Sequence, residues 1–147
     1  MTSHPPLLDT NVLVHLVRGD DVGERIRTTY APTIAEPRPL ISIVTDGELR
    51  SLAYQFRWAK ARVDQALFYL SYFKRVSIDH PDVYEAYAVI DSYSLSIGRS
   101  MGKNDVWIAA TAHVIGACML TTDQDFAHLA PRFFTLDLIE PQAPRTC

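Results

Sequence analysis

The sequence predicts an α/β fold: a three-layer sandwich in which helices cover both faces of a central, mostly parallel sheet of four to five strands. Short, continuously apolar runs are typical of strands that are buried on both faces, and amphipathic helical segments separate them. With 147 residues, 48% of them hydrophobic, the chain is long enough to bury one core. We therefore expect a single domain over residues 1–147.

The first third of the chain predicts a strand, two helices and a loop. The predicted elements are the strand PPLLD, which ends at Asp9, the helix NVLVHLVRG, which stops at Gly19, a helix from Asp21 to about Tyr30, and a proline-dotted loop over 32–39.

A second strand, LISIV, is followed by the helix TDGELRSLAYQFRW. Thr45 and Glu48 fit the T-x-x-E capping box at the start of that helix. Gly47, beside Glu48, is a weak helix former. Asp46 would point to a different face of the helix from Glu48.

The rest of the chain continues the alternation of helix and strand. The predicted elements are the helix AKARVDQALFYLSYFK, the strand RVSID, a helix over about 82–98 with Pro81 in its first turn, the helix NDVWIAATAHVIG with Gly116 as its stop, the strand ACMLTT, a short helical turn DQDFAHL and the strand FFTLDL.

Four acidic residues fall where these strands end or the following helices begin: Asp9, Glu48, Asp105 and Asp123. In a parallel sheet the carboxyl ends of the strands share one edge, where chemistry collects. Carboxylates gathered there would repel one another unless a cation neutralises them. Carboxylate oxygens suit a small hard ion, so Mg²⁺ is expected, with Mn²⁺ as an alternative.

Each of these acids also has a purely structural interpretation. Asp9 and Asp105 are at predicted helix starts, where aspartate is a preferred N-cap, and Asp123 is placed to cap the short turn before Phe126. Glu48 would merely complete its capping box. What favours chemistry is the joint placement of the four.

Composition excludes several other classes of site. The five histidines are scattered without H-x-H or H-E-x-x-H spacing, so a zinc site is not expected. The two cysteines, Cys118 and Cys147, form neither a CxxC motif nor a disulfide framework. No apolar run approaches the roughly 18 residues of a membrane span, and we expect a soluble cytoplasmic protein.

The net charge of −3 conceals a basic segment. Residues 48–75 carry six basic side chains against two acidic ones, which is typical of a phosphate-binding edge or of a solvated helical face.

Four segments together resemble the acidic motifs of PIN-domain ribonucleases, and most closely those of the VapC toxins of bacterial VapBC toxin-antitoxin systems. The segments are LLDTNVLV, SIVTDGEL, NDVWIAATA and LTTDQDF, in order and across nearly the whole chain. The resemblance implies a PIN fold, a Mg²⁺-dependent endoribonuclease and a cognate VapB-like antitoxin. It places Asp9, Glu48, Asp105 and Asp123 on the family's acidic quartet, with Asp9 and Asp105 as the most direct metal ligands.

The resemblance also implies supporting roles for small polar residues. Thr10 and Asn11 match the polar pair after the first acid, and Thr121 matches the hydroxyl of the last motif. We expect Thr10 and Asn11 to hydrogen-bond the other acids and the incoming phosphate.

Contacts with RNA and with protein partners are predicted from the basic and aromatic residues. Arg50, Arg57, Lys60 and Arg62 are the predicted RNA-backbone contacts, and Trp58 or Tyr54 would stack on an unpaired base, although such aromatics are more often core. The segment FYLSYF, residues 68–73, is either a contact surface for a second copy in a homodimer or for an antitoxin helix, or ordinary helical core.

Two other functions are weighed against the nuclease. An aspartyl-phosphate phosphotransfer protein fits poorly, because a D-x-D motif would need an acid where Asn11 stands and Asp79 is the only candidate phosphoacceptor after the third strand. A non-catalytic binding module would not require four like charges to be gathered.

Overall fold

Five short strands and six α-helices alternate along the part of the chain that the structure describes. The structure is a computed structural model and describes residues 6–29 and 38–140. The elements are β1 (Leu7–Leu8), α1 (Thr10–Arg18), α2 (Asp21–Thr29), β2 (Leu40–Ser42), α3 (Ile43–Gln55), α4 (Lys60–Tyr72), β3 (Lys74–Val76), α5 (Pro81–Ser96), α6 (Lys103–Ile115), β4 (Cys118–Thr121), a 3-10 helix (Gln124–Leu129) and β5 (Thr135–Leu138).

All five strands form one parallel sheet in the order β3-β2-β1-β4-β5. The shortest strand, β1, is at the centre: Leu8 pairs with Ile41 of β2 on one side and with Leu120 of β4 on the other. The mostly parallel sheet of the predicted fold class is therefore confirmed, with five strands.

Helices cover both faces of the sheet, because successive strand residues point to opposite sides. Leu8 belongs to a buried cluster with side chains of α1 to α4, whereas Leu7 belongs to a second cluster with α5 and α6. Leu7 and Leu8 are almost completely buried. A strand buried on both faces has no position for a polar residue, which explains the continuous apolar runs.

The junction between α1 and α2 is closely packed. Gly19 ends α1 in the left-handed conformation, with φ of 63°. Asp20 then accepts hydrogen bonds from His15 Nδ1, at 2.8 Å, and from the backbone N–H of Gly23, at 2.8 Å. A Cβ atom at Gly23 would lie 2.1 Å from the carbonyl oxygen of His15, so the close approach of the two helices requires glycine here.

The predicted capping box of Thr45 and Glu48 is wrong. Ser42, the last residue of β2, is itself the N-cap of α3: its hydroxyl accepts a hydrogen bond from the backbone N–H of Val44 at 3.1 Å. The helix thus begins at Ile43, earlier than the sequence pattern predicts, because a capping side chain is already present where the strand ends. Glu48 lies in the second turn rather than the first.

Most other predicted boundaries lie within a few residues of those observed. Helix α6 begins at Lys103, so Asp105 is inside its first turn, and α5 begins at Pro81 as predicted. The predicted loop over 32–39 lies largely outside the described residues, as does Cys147. None of the helices in the described ranges combines the length and apolar character needed to cross a bilayer.

Candidate active site

The topology brings the ends of β1 and β4 together and places Asp9 between them. Asp9 directly follows β1, and its backbone N–H donates to the carbonyl of Leu120 in β4 at 2.9 Å. Asp123 follows β4 by two residues. The two carboxylates therefore reach the same edge of the sheet because β1 and β4 are parallel neighbours.

Asp9 is a buried carboxylate with both oxygens hydrogen-bonded. Its side chain is the N-cap of α1, with Oδ1 accepting from the backbone N–H of Thr10 at 2.8 Å, while Oδ2 accepts from the hydroxyl of Thr121 at 2.7 Å. Only 3% of the residue is exposed. Burial above all, with the charges of Asp105 and Glu48, raises the pKa of Asp9 to about 7, although its hydrogen bonds from Thr121 and Thr10 act in the opposite direction.

Glu48 is held on two sides. The Thr10 hydroxyl donates to Glu48 Oε1 at 2.6 Å, and Asn104 Nδ2 donates to Oε2 at 3.3 Å. Thr10 Oγ1 also lies 3.0 Å from the hydroxyl of Thr45, which is fully buried. The capping interpretation of Glu48 is therefore replaced by one in which α3, α1 and the start of α6 orient its carboxylate.

Asp105 is the second carboxylate of the site with a raised pKa. It is half-buried in the first turn of α6, where Gly102 rather than Asp105 is the N-cap. Burial raises the pKa of Asp105 to about 6, with the charges of Glu48, Asp123 and Asp125 acting in the same direction.

Asp123 combines a capping role with membership of this group. Its backbone N–H donates to Thr121 Oγ1 at 2.9 Å, and its Oδ1 accepts from the backbone N–H of Asp125 at 2.9 Å. Thr121 therefore contacts both Asp9 and Asp123 and connects β1 to the turn after β4. The prediction that Asp9 and Asp123 are N-caps is confirmed. Capping does not prevent the two carboxylates from lying at the same edge of the sheet. Four residues together form the acidic cluster: Asp9, Glu48, Asp105 and Asp123.

Three residues beside the acidic cluster were missed by sequence reasoning. Thr45 and Asn104 contact Thr10 and Glu48, respectively, and the charge of Asp125 acts on Asp105. The D-x-D spacing of Asp123 and Asp125 in TTDQDF was a signal for Asp125. The other two contacts depend on the packing of α3 against α1 and α6, which local sequence does not specify.

Asn11 is exposed, and its side chain forms no hydrogen bond to another described residue. The predicted hydrogen bond from Asn11 to the other acids is therefore wrong, whereas that from Thr10 to Glu48 is confirmed. The predicted contact of Asn11 with incoming phosphate stays a prediction. Asp46 points away from Glu48, as expected, and forms ion pairs with Arg50 at 2.5 Å and Arg75 at 2.9 Å.

The predicted RNA-backbone contacts lie along α3, α4 and the turn between them. Arg50 is paired with Asp46, and Lys60 is paired with Asp64 at 2.7 Å. Arg50 and Arg57 line a groove between α3 and α4, whereas Arg62 lies in the first turn of α4 and lines a separate pocket. None of these four forms an ion pair with the acidic cluster in the described ranges. Tyr54 is 86% exposed, and Trp58 packs partly against the core.

The donor set of the acidic cluster fits a small hard cation. It consists of carboxylate oxygens supported by threonine hydroxyls, without thiolate or imidazole. Among residues 6–29 and 38–140, no three acidic, histidine or cysteine side chains are close enough together to enclose a metal ion. Mg²⁺ is commonly bound by only one or two carboxylates and several waters, so this spacing is compatible with Mg²⁺ and unsuited to a closed zinc cage.

Comparison with protein families finds one match over most of the chain: the PIN domain model matches residues 7–131. Comparison with curated protein sequences finds no significant match.

Solved structures of the same fold come from several bacteria. A chain of VapBC2 from Rickettsia felis, bound to a DNA fragment from the promoter, aligns with a TM-score of 0.77 and 17% identity over 93% of this chain and 100% of the other. FitAcB from Neisseria gonorrhoeae gives a TM-score of 0.72 and 26% identity over 88% and 94%. VapBC-5 from Mycobacterium tuberculosis, a member of the VapBC family of toxin-antitoxin systems, gives 0.64 and 24% over 92% and 97%.

Proposed function

Because this chain belongs to the PIN domain family, we propose that it is a Mg²⁺-dependent endoribonuclease and the toxin of a type II toxin-antitoxin system. The observation that carries the proposal is the position of the acidic cluster at one edge of the sheet, where two of its carboxylates, Asp9 and Asp105, also have raised pKa values. Folding gains nothing from gathering repelling acids, whereas metal-assisted phosphodiester hydrolysis requires them.

In this proposal Asp9 and Asp105 would hold Mg²⁺, or Mn²⁺, directly, and Glu48 and Asp123 would bind it through water, since no three of the described acids are close enough together to enclose the ion. When bound, the ion neutralises the carboxylates, polarises the phosphodiester and activates the attacking water.

The threonines of the site orient two of its carboxylates. Thr121 donates to Asp9 Oδ2 and lowers the pKa of Asp9 against the effect of burial, and Thr10 donates to Glu48 Oε1. Asn104 fixes the second oxygen of Glu48. The carboxylates of Asp9 and Glu48 are therefore held in one arrangement before substrate arrives, which lowers the cost of binding a cation.

The test compares the parent protein with Asp9→Asn on single-stranded RNA. We expect the parent to cleave RNA in Mg²⁺ and to stop in EDTA, and Asp9→Asn to lose at least 100-fold in rate because an amide is a poor ligand for Mg²⁺. Asp21→Asn is the matched control, since Asp21 is exposed in the first turn of α2, away from the acidic cluster. Robust cleavage by Asp9→Asn would remove the mechanism.

A VapB-like antitoxin is proposed as the protein partner, since the structural neighbours named above include VapBC structures. The segment 68–73 supports both of its interpretations in part: Tyr69, Leu70 and Phe73 are core, whereas Phe68 is 56% exposed. Size measurement of the chain alone, and after co-expression with the product of a short neighbouring reading frame, tests the homodimer and the antitoxin separately. A monomer that does not change size on co-expression would contradict both.

A further inference from the structure

A groove runs along α3 toward the start of α6 and borders the acidic cluster. Its volume is about 460 Å³, within the range of small-molecule sites. Its wall on α3 includes Gly47, Ser51, Leu52 and Gln55, and Asn104 lies on the opposite wall.

Glu48 belongs to both the groove and the acidic cluster. Its Oε1 accepts from Thr10, the residue next to Asp9, and its Oε2 accepts from Asn104. A molecule in the groove would thus lie next to a phosphate bound at the acidic cluster.

Gly47 is unexplained by the fold itself. It is an interior residue of α3 with ordinary helical backbone, and no atom lies within 4 Å of a Cβ added there. Glycine destabilises a helix relative to alanine, and neither a positive φ nor a close contact requires it here. What the missing side chain does provide is space on the wall of the groove.

The chemistry of the groove suits an uncharged polar group. Gly47, Ser51 and Gln55 lie four residues apart and therefore share one face of α3. Gln55 Nε2 donates to Ser51 Oγ at 2.9 Å, and both residues are exposed. Glu48 is the charged residue of the groove wall, so a phosphate would be repelled there, whereas amide, hydroxyl and apolar surfaces match a nucleobase and its ribose.

We propose that this groove binds one unpaired nucleoside of the RNA, adjacent to the phosphate that is cleaved. Gly47 leaves the room for it, and Gln55, supported by Ser51, contacts the edge of the base. This inference rests on the proposed function and extends it to the choice of cleavage site.

The experiment uses the full chain and a pool of single-stranded oligoribonucleotides with randomised sequence. Cleavage products are sequenced, and kcat and KM are measured on one well-cleaved member. We expect the parent to prefer certain bases at one position beside the cut. Gly47→Leu should raise KM at least tenfold and change that preference, and Gln55→Ala should relax it.

Two controls accompany these variants. Ser92→Leu makes an equivalent substitution at an exposed position of α5 and should leave KM and base preference unchanged. Thermal unfolding of Gly47→Leu should occur at or above the parent temperature, because leucine is a better helix former than glycine. A loss of activity through misfolding is thereby detected.

The failures of the two proposals are distinguishable. If the parent cleaves RNA and Gly47→Leu retains both its KM and its base preference, the groove inference is wrong and the proposed function stands. If the parent cleaves no RNA, the proposed function is wrong. Binding of a fluorescent oligoribonucleotide, measured for Asp9→Asn with and without Gly47→Leu, tests the groove independently, and equal affinities would overturn the inference.

Discussion

Asp9 illustrates how one residue serves both the fold and the proposed chemistry. One of its oxygens caps α1 through Thr10, and the other accepts from Thr121 in β4. Its ionisation is nevertheless unfavourable in the folded chain because burial and the charges of Asp105 and Glu48 oppose it. The protonation state of Asp9 should therefore affect both the stability of the protein and the pH dependence of RNA cleavage.

In EDTA, the free energy of unfolding should depend on pH through Asp9. The pKa of Asp9 is raised in the folded chain, from 3.8 to about 7, so the folded state binds the proton more tightly than the unfolded state. The stability that this proton confers is fully present below pH 4 and is lost as pH rises toward 7. Relative to Asp9→Asn, the parent should lose on the order of 4 kcal/mol across that window, measured by urea unfolding.

Comparison with Asp9→Asn cancels the titration of the remaining acids. Added Mg²⁺ should stabilise the parent at pH 8 and stabilise Asp9→Asn much less. A constant difference in stability between the two proteins from pH 4 to pH 8 would contradict the assignment.

Thr121→Val should shift the pH dependence of RNA cleavage. The substitution keeps the side-chain shape but removes the hydrogen bond that lowers the pKa of Asp9. The acidic limb of the kcat/KM profile should therefore move to higher pH, by about half a unit or more. Thr111→Val is the control, because the Thr111 hydroxyl is also buried but donates to the carbonyl of Trp107 within α6.

At the scale of elements, the sequence predicted which acids would meet because topology alone brings them together. Apolar strands followed by acidic residues place Asp9 and Asp123 at one edge, whatever the detailed packing. The sequence did not predict where α3 begins. The T-x-x-E pattern indicated a start at Thr45, whereas Ser42 caps the helix and it begins at Ile43. Sequence reasoning also missed the contact of Asn104 with Glu48, which depends on how α6 approaches α3.

Two glycines inside helices should respond to alanine in opposite directions. Gly23→Ala should destabilise the protein by about 2 kcal/mol or more, because the new Cβ would meet the His15 carbonyl of the neighbouring helix. Gly47→Ala should stabilise it by up to about 1 kcal/mol, because the added methyl group meets no atom. Chemical denaturation of both variants measures the difference, and equal effects would contradict the packing described for α1 and α2.

At the scale of the whole molecule, the basic segment provides less positive charge than its composition indicates. Arg50 and Arg75 are paired with Asp46, and Lys60 is paired with Asp64. The chain as a whole carries a net charge of −3. Sequence composition reveals the excess of basic residues but not these pairings. Two of them are i,i+4 pairs within α3 and α4, whereas the pair of Arg75 with Asp46 joins β3 to α3 and forms only in the folded chain.

RNA affinity should consequently depend only moderately on salt concentration. With about three phosphates neutralised, the slope of log affinity against log salt concentration is expected to be about −2 or shallower at constant Mg²⁺. Fluorescence anisotropy measures this slope, with the Asp9→Asn protein because that variant is expected not to degrade the probe. A slope steeper than about −4 would contradict this estimate and indicate a broad contact with the basic segment.

The central position of β1 also determines when the acidic cluster is complete during synthesis. Asp9 is translated before the residue that orients it, since the hydroxyl that donates to its Oδ2 belongs to Thr121, 112 residues later. A nascent chain therefore carries this carboxylate without the partners that surround it until β4 has left the ribosome. Assembly of the acidic cluster waits for β4, so a polypeptide truncated before that strand lacks the arrangement on which RNA cleavage would depend.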